Sequence, residues 1–186
     1  MNNERIETDR LLLIRPQEAD APEIFTRYAR DPEVTRYVGF ARHWSVDAAY
    51  AFLRQSNTEW DRWPAGPYLI RARTDHSLLG GTGLTFETPQ RAMTGYVLAK
   101  DAWGKGYATE TLRAIVELAR GLGVRRLYAL CHTEHGPSMR VLEKGEFQRE
   151  GVLRQYMEFP NLSPGQLSDV FCYARILERG RPGAPV

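Results

Sequence analysis

A short segment containing two glycines carries the clearest chemical signal in the sequence. Residues 103–110 read Trp-Gly-Lys-Gly-Tyr-Ala-Thr-Glu and lie between an apolar strand pattern and an amphipathic helix pattern. The glycines at positions 104 and 106 permit a tight turn and a close approach of the backbone to a ligand. Unpaired N–H groups and the positive dipole end of the following helix favour an anion there. The segment is therefore a candidate phosphate-binding loop, with an ordinary strand-to-helix turn as the alternative.

Two common nucleotide-binding motifs fit this loop poorly. A P-loop requires Ser or Thr after Gly-Lys, whereas Lys105 is followed by Gly106. A dinucleotide fingerprint requires a third glycine where Thr109 stands, and it usually belongs to a first parallel βαβ unit. A nucleotide-dependent enzyme is therefore the weaker hypothesis.

A second group of reactive side chains comprises Cys131, His132, Glu134 and His135. A zinc site needs three or four converging ligands, whereas successive side chains at a strand end point to opposite faces. We therefore expect no metal at this segment.

Apolar spacing and turn residues indicate six or seven strands and several helices around these two segments. Residues 68–98 contain three apolar runs joined by short polar turns, which predicts an antiparallel meander. Asp20, Pro22 and Glu23 predict the start of a helix, because they match an N-cap, a first-turn proline and a capping-box glutamate. The predicted strands are 10–15, 68–73, 78–86, 93–98, 126–131, 147–153 and 167–177, and the predicted helices are 21–30, 33–37, 45–60, 107–120 and 137–144.

Length and composition limit the fold and the partners. The 186 residues fit one domain, and 25 basic against 23 acidic residues leave too little charge for general binding to nucleic acid or acidic membranes. The polar start of the chain matches neither a signal peptide nor a spanning helix, so we expect a cytoplasmic protein with Cys131 and Cys172 as buried thiols. We predict one α+β domain over residues 6–177, with helices on both faces of a mixed, mostly antiparallel sheet, and a loose tail over 178–186.

The candidate loop resembles the pyrophosphate loop of the Gcn5-related N-acetyltransferases (GNAT). Their pattern is Gln/Arg-x-x-Gly-x-Gly/Ala, and Gly106 and Ala108 stand at the matching positions. Other landmarks resemble the branch of Rim-type ribosomal-protein-alanine N-acetyltransferases. They are Thr-Asp-Arg-Leu-Leu-Leu at 8–13, Asp-Pro-Glu-Val at 31–34, Gly-Tyr at 95–96, Ser-Met-Arg-Val-Leu-Glu-Lys at 138–144 and Asp-Val-Phe-Cys-Tyr-Ala-Arg at 169–175.

This resemblance implies acetyl-coenzyme A as the co-substrate. It would lie between two splayed parallel strands, 93–98 and 126–131, with its pantetheine on an open strand edge and its pyrophosphate on the N–H groups of the loop. The ammonium of Lys105, one of only three lysines, would then meet a cofactor phosphate. The cofactor-binding residues predicted in this way are Val97, Leu98, Trp103, Gly104, Lys105, Gly106, Tyr107, Ala108, Thr109, His135 and Ser138.

The sequence departs from the family pattern at four positions. Trp103 replaces Gln or Arg, His135 replaces an Asn that contacts the cofactor, and Glu146 replaces a Gly. Met93 stands where many relatives carry a glutamate proposed as the general base. A methionine cannot accept a proton, so the base must be sought elsewhere.

The resemblance supplies two candidate catalytic residues. Ser138 matches a helix serine near the cofactor sulfur and would protonate the leaving thiolate, with helix capping as the alternative role. Glu158 resembles a strand carboxylate proposed as the base, provided that one residue is inserted. A solvated surface glutamate, with water as the proton acceptor, is the alternative.

These observations predict an N-acetyltransferase that transfers acetyl directly to a primary amine in a ternary complex, without an acyl-cysteine. A protein N-terminus is the preferred acceptor; a polyamine, an amine antibiotic or a non-catalytic coenzyme A-binding module are the alternatives. We expect a monomer or a homodimer, without nucleic acid or membrane partners. Aromatic residues of the N-terminal third, including Tyr37, Phe40 and Trp44, would either shape the acceptor slot or pack the first helices.

Overall fold

The computed structural model describes residues 3–178, which form a sheet covered by helices on both faces. The predicted tail lies outside the described residues apart from Glu178. The strands are β1 (Arg5–Glu7), β2 (Leu11–Ile14), β3 (Pro67–Ala72), β4 (Leu78–Thr88), β5 (Arg91–Leu98), β6 (Arg126–His132), β7 (Gln148–Glu158) and β8 (Leu167–Ile176). The helices are α1 (Ala21–Ile24), α2 (Val46–Arg62), α3 (Tyr107–Gly121) and α4 (Gly136–Lys144).

The described strands form one eight-stranded sheet in the order β1-β2-β3-β4-β5-β6-β8-β7. Within it, β5 and β6 pair in parallel and the other neighbours pair antiparallel. The predicted α+β fold is therefore confirmed, with one strand more than expected. The additional strand, β1, contains a single apolar residue, Ile6, and is too short to produce an alternating pattern.

Two apolar clusters hold the layers together. One buries Leu112, Ile115 and Val116 of α3 against sheet residues such as Leu127. The other buries residues of α1 and α2 against β3 and β4, including Leu69 and Leu78. The helical spacing of the apolar residues in α3 explains why its predicted span differs by only one residue from the observed one.

The first helical region differs from its prediction. Instead of one helix over 21–30, α1 ends at Ile24 and continues as a wide π-helical turn, Phe25–Ala29, while 32–37 forms turns. The Asp20 side chain does not cap α1, because its carboxylate accepts hydrogen bonds from the Gln17 N–H and the Arg71 guanidinium at 2.7 and 2.8 Å. The Gln17 donor is local, but Arg71 lies 51 positions away and could not be read from the local pattern.

Both cysteines are free thiols, as predicted, although only Cys131 is buried and Cys172 is half-buried. They lie on the adjacent strands β6 and β8, where Cys172 pairs with Leu130. Within residues 3–178, no helix combines the length and the apolar character that crossing a membrane requires.

Candidate active site

The sheet opens between β5 and β6. The two strands pair at Arg91–Arg126, Ala92–Leu127 and Met93–Tyr128, and the described ladder then ends. Beyond this point β5 continues along β4 to Leu98, while β6 continues along β8 to His132. The strands diverge because each follows a different antiparallel neighbour. A wedge-shaped opening results, as the resemblance led us to expect.

The open edge of β5 presents backbone groups to this wedge. The Ala99 N–H donates to the Leu79 carbonyl at 2.8 Å, and the Thr82 hydroxyl donates to the Gly95 carbonyl at 2.8 Å, so the odd-numbered residues turn toward β4. Because the direction alternates along a strand, Tyr96 and Leu98 turn toward the wedge. Val97 contributes its side chain to the wall.

Trp103 links the loop to this edge. Its indole N–H donates to the Leu98 carbonyl at 2.8 Å, although the ring is 45% exposed. The aromatic residue at the family's Gln/Arg position therefore fastens the start of the loop to the end of β5.

The backbone of the loop has the conformation that the glycines predict. Gly104 and Gly106 have φ values of +73° and +80°, and Gly106 is the N-cap of α3. The first intrahelical hydrogen bond runs from the Glu110 N–H to the Gly106 carbonyl at 3.1 Å. The N–H groups of Tyr107, Ala108 and Thr109 consequently have no partner within the helix and point out of its N-terminus. The exposed side chain of Lys105 lies beside this set of donors along the chain.

Hydrogen bonds from Arg10, near the start of the chain, stabilise the loop. Arg10 donates through its backbone N–H and its Nε to the Glu110 carboxylate at 3.0 and 2.7 Å, and through Nη1 to the Lys105 carbonyl at 2.9 Å. Its guanidinium also lies 4.7 Å from the centre of the Tyr107 ring. The Thr8 hydroxyl adds a 2.6 Å hydrogen bond to Glu110. The loop geometry therefore depends on residues about a hundred positions away in sequence.

Two hydroxyl groups meet at the mouth of the wedge. Ser138 lies in the first turn of α4, and its Oγ is 3.0 Å from the Tyr96 Oη, which also donates to the Ser138 carbonyl at 3.1 Å. Burial raises the pKa of the Tyr96 phenol, and the contact with Ser138 only partly offsets this effect. Tyr96 therefore stays protonated at neutral pH. Helix capping does not occupy the serine hydroxyl, because the N-cap is His135.

Sequence reasoning missed Tyr96 as a functional residue and treated it only as a family landmark. Its position could have indicated a role, because Tyr96 directly precedes the predicted pantetheine contacts Val97 and Leu98 on β5. The pairing partner could not be read locally, because 42 positions separate Tyr96 from Ser138.

An aromatic cluster forms another part of the cavity wall. The His135 ring stacks on Tyr37 at 4.7 Å between centroids, and His132 packs against Tyr37 and Phe159 at 5.1 and 4.8 Å. Burial, and then the charges of His132 and Arg140, lower the pKa of His135. His135, a predicted cofactor contact, is therefore a neutral imidazole stacked on Tyr37.

Cys131 lies between this wall and Ser138 and lines the same cavity. Burial raises the pKa of its thiol, although its contact with Ser138 acts in the opposite direction. The thiolate needed for covalent catalysis is therefore disfavoured.

Glu158 lies apart from these groups. Its neighbours Met157 and Phe159 line the cavity, whereas Glu158 is exposed and accepts a hydrogen bond from the Gly165 N–H at 2.8 Å. Met93, at the family's base position, is half-buried and faces the cavity. The geometry therefore brings Ser138 to the wedge and leaves Glu158 outside it.

One cavity of about 1010 Å³ joins the wedge, the hydroxyl pair and the aromatic wall. Among the described residues, the Asp, Glu, Lys and Arg side chains on its surface are Glu33, Arg36 and Glu134. Glu33 is paired with Lys100, and the Arg36 guanidinium lies 5.3 Å from the Tyr37 ring centre. No group of three or more His, Cys, Asp or Glu residues within 3–178 is arranged to hold a metal ion.

Comparison with known proteins identifies the family. The model of the acetyltransferase (GNAT) domain matches residues 10–148. The chain belongs to the GNAT acetyltransferase family. Among its GNAT relatives, the uncharacterised N-acetyltransferase YoaA of Bacillus subtilis is 34% identical over 155 residues, which are 82% of this chain and 87% of YoaA.

Solved GNAT structures share the fold. A RimL ribosomal L7/L12 α-N-protein acetyltransferase in complex with coenzyme A superposes with a TM-score of 0.80 at 22% identity, covering 95% of this chain and 100% of that one. The microcin C7 self-immunity acetyltransferase MccE, in complex with acetyl-coenzyme A and AMP, superposes with a TM-score of 0.80 at 18% identity, covering 91% and 94%.

Proposed function

We propose that this protein transfers an acetyl group from acetyl-coenzyme A to a primary amine, with a protein N-terminal α-amine as the preferred acceptor. The observation that carries the proposal is the Tyr96–Ser138 hydroxyl pair at the mouth of the β5–β6 wedge, next to a loop with unpaired N–H groups. Coenzyme A is bound in the RimL structure and acetyl-coenzyme A in the MccE structure, both of the same fold, which supports the choice of donor.

The two ends of the wedge suit different parts of the donor. N–H groups at the start of α3 favour the pyrophosphate, and Lys105 adds a cation beside them. The open edge of β5 at Tyr96 and Leu98 offers hydrogen bonds to the amides of pantetheine, as a strand edge does for an added strand. In this proposed binding mode the thioester would lie near Ser138.

Direct transfer forms a C–N bond and breaks the C–S bond of the thioester. A backbone N–H on the β5 edge would stabilise the oxyanion that develops on the carbonyl oxygen. Ser138 would donate its proton to the leaving sulfur and recover one from Tyr96 or water. We assign the amine proton to water that enters the open cavity, because Glu158 points away from it.

We call the part of the cavity formed by the segment 35–42, Met157 and Phe159 the acceptor wall. This wall favours an uncharged group next to the amine. Tyr37, Phe40, Met157 and Phe159 give it an aromatic and apolar surface. A polyamine carries several positive charges and needs several carboxylates, whereas only Glu33 and Glu134 supply them here among the described residues. A peptide N-terminus that begins with a small residue needs no such cluster. An amine antibiotic is the second candidate acceptor, since aromatic walls also stack on planar groups.

Thiol release from acetyl-coenzyme A tests this function. The panel contains peptides that begin with Ala, Ser or Met, together with spermidine and an amine antibiotic that carries a planar ring. We expect release with the Ala or Ser peptides, lost in Ser138→Ala. Coenzyme A binding without acceptor-dependent release would favour the non-catalytic alternative. Thermal protection by ATP or NAD but not by coenzyme A would contradict the choice of donor.

A further inference from the structure

A single side-chain amide joins two distant segments of the cavity wall. The Asn161 Nδ2 donates to the carbonyls of Thr35 and Phe40 at 2.8 Å each, and its Oδ1 accepts from the Arg42 N–H at 2.7 Å. These contacts span 119 to 126 positions along the chain. Three backbone groups of the segment 35–42 are thus held by one residue.

Asn161 lies in a turn that is hydrogen-bonded to Phe159, a residue of the second wall segment. This turn follows β7, and in it the N–H groups of Leu162 and Ser163 donate to the Phe159 carbonyl at 2.9 and 3.0 Å. Phe159 is buried and lines the cavity, whereas Asn161 is half-buried and lies outside the lining. The amide therefore acts on the cavity only through the segments that it connects.

Close packing accompanies these hydrogen bonds. A Cβ placed on Gly39 would lie 2.1 Å from the Met157 Cε, so Gly39 lies directly against the flexible end of that β7 side chain. Gly39 and Met157 both line the cavity. The segment 35–42 therefore meets the β7 side of the cavity by packing as well as through the hydrogen bonds of Asn161.

We propose that Asn161 is a positioning residue that fixes the acceptor wall and thereby sets the fit of the amine substrate. The inference rests on the proposed acetyl transfer. It concerns the acceptor side first, because the donor loop, 103–109, and the edge of β5 make none of the described contacts with Asn161, although Tyr37 of the held segment stacks on His135, a predicted donor contact.

The chemistry of the amide defines the variants. Asn161→Asp keeps the shape and the acceptor for the Arg42 N–H, but its carboxylate faces the carbonyls of Thr35 and Phe40 without a hydrogen to donate. Asn161→Ala removes all three bonds. Ser163→Ala is the matched control, because it changes the same turn at a side chain with no hydrogen bond among the described contacts.

Steady-state kinetics with the best peptide of the panel separate the two sides of the site. For Asn161→Asp and Asn161→Ala we expect KM for the peptide to rise about tenfold, while KM for acetyl-coenzyme A stays within about twofold of the wild type. Ser163→Ala should match the wild type in both constants. Equal changes in both constants, or none, would overturn the inference.

Amide hydrogen exchange tests the same inference without any acceptor. Both Asn161 variants should accelerate exchange in peptides that cover 35–43, and exchange in α3 should stay unchanged. If the wild-type protein acetylates no amine in the panel, the proposed function fails while this measurement still decides the role of Asn161. Unchanged exchange over 35–43 would show that the amide does not hold the wall.

Discussion

The Tyr96 hydroxyl lies 3.0 Å from the Ser138 hydroxyl, at the point where two parallel strands part. Tyr96 is the longer side chain and also donates to the Ser138 carbonyl, so it orients the first turn of α4 as well as the serine. The hydroxyl of Ser138 is thereby held in place. Its neighbour Tyr96 is protonated and can supply a proton to Ser138 after the serine has given up its own.

Tyr96→Phe should lower kcat about tenfold, with little change in KM for acetyl-coenzyme A. The phenyl ring keeps the packing, but Ser138 loses the partner that orients it and returns its proton. Ser138→Ala should cost more, and the double variant should cost about as much as Ser138→Ala alone, because the two residues act as one unit. Additive losses would mean that Tyr96 acts independently of the serine.

Gly106→Val should raise KM for acetyl-coenzyme A. A valine is strained at a φ of +80°, so the loop backbone must leave the conformation in which it presents its N–H groups. Gly121→Ala is the control, because a Cβ there meets nothing within 4 Å and the φ is not in the left-handed region. Donor kinetics that stay equal in both variants would remove the loop from the binding site.

Local sequence patterns predicted those parts of the fold whose conformation depends on neighbouring residues in the chain. The spacing of Leu112, Ile115 and Val116 and the flanking glycines defined α3, and the turns at 103–106 defined the loop. The π-helical turn after Ile24 was missed because its apolar spacing resembles that of an α-helix over one turn.

Contacts between distant residues account for what sequence reasoning missed in the site. Arg10 holds the loop through Glu110, and Asn161 holds the segment 35–42, each across about a hundred residues or more. No period or motif marks such pairs in one sequence. The donor side was predictable because the loop carries its own backbone donors, whereas the acceptor wall is assembled from separate segments.

Glu158→Gln should leave the pH–rate profile unchanged. The amide oxygen can still accept the hydrogen bond from the Gly165 N–H, and neither side chain reaches the cavity that Met157 and Phe159 line. The measurement is kcat/KM for the peptide between pH 6 and pH 9 in both proteins. Loss of the acidic limb in the variant, where a base becomes protonated, would restore Glu158 as the general base.

Glu110→Gln should make stability less dependent on acidic pH. Burial alone would raise the pKa of Glu110, but the hydrogen bonds from Thr8 and Arg10 lower it below its ordinary value of 4.5. A lowered pKa in the folded state stabilises the protein above the unfolded-state value, and this contribution disappears as the pH falls through the folded-state value.

The wild type should therefore exceed Glu110→Gln in free energy of unfolding by about 1–2 kcal/mol at pH 7. The difference should shrink as the pH falls below about 4.5, because the wild-type carboxylate becomes protonated. Urea unfolding at pH 7, 5 and 3.5 measures this difference. Glu117→Gln is a control on the same helix, because Glu117 pairs with the nearby Arg120 alone among the contacts of residues 3–178. A constant difference across this range would show that the Arg10–Glu110 brace is not held by charge.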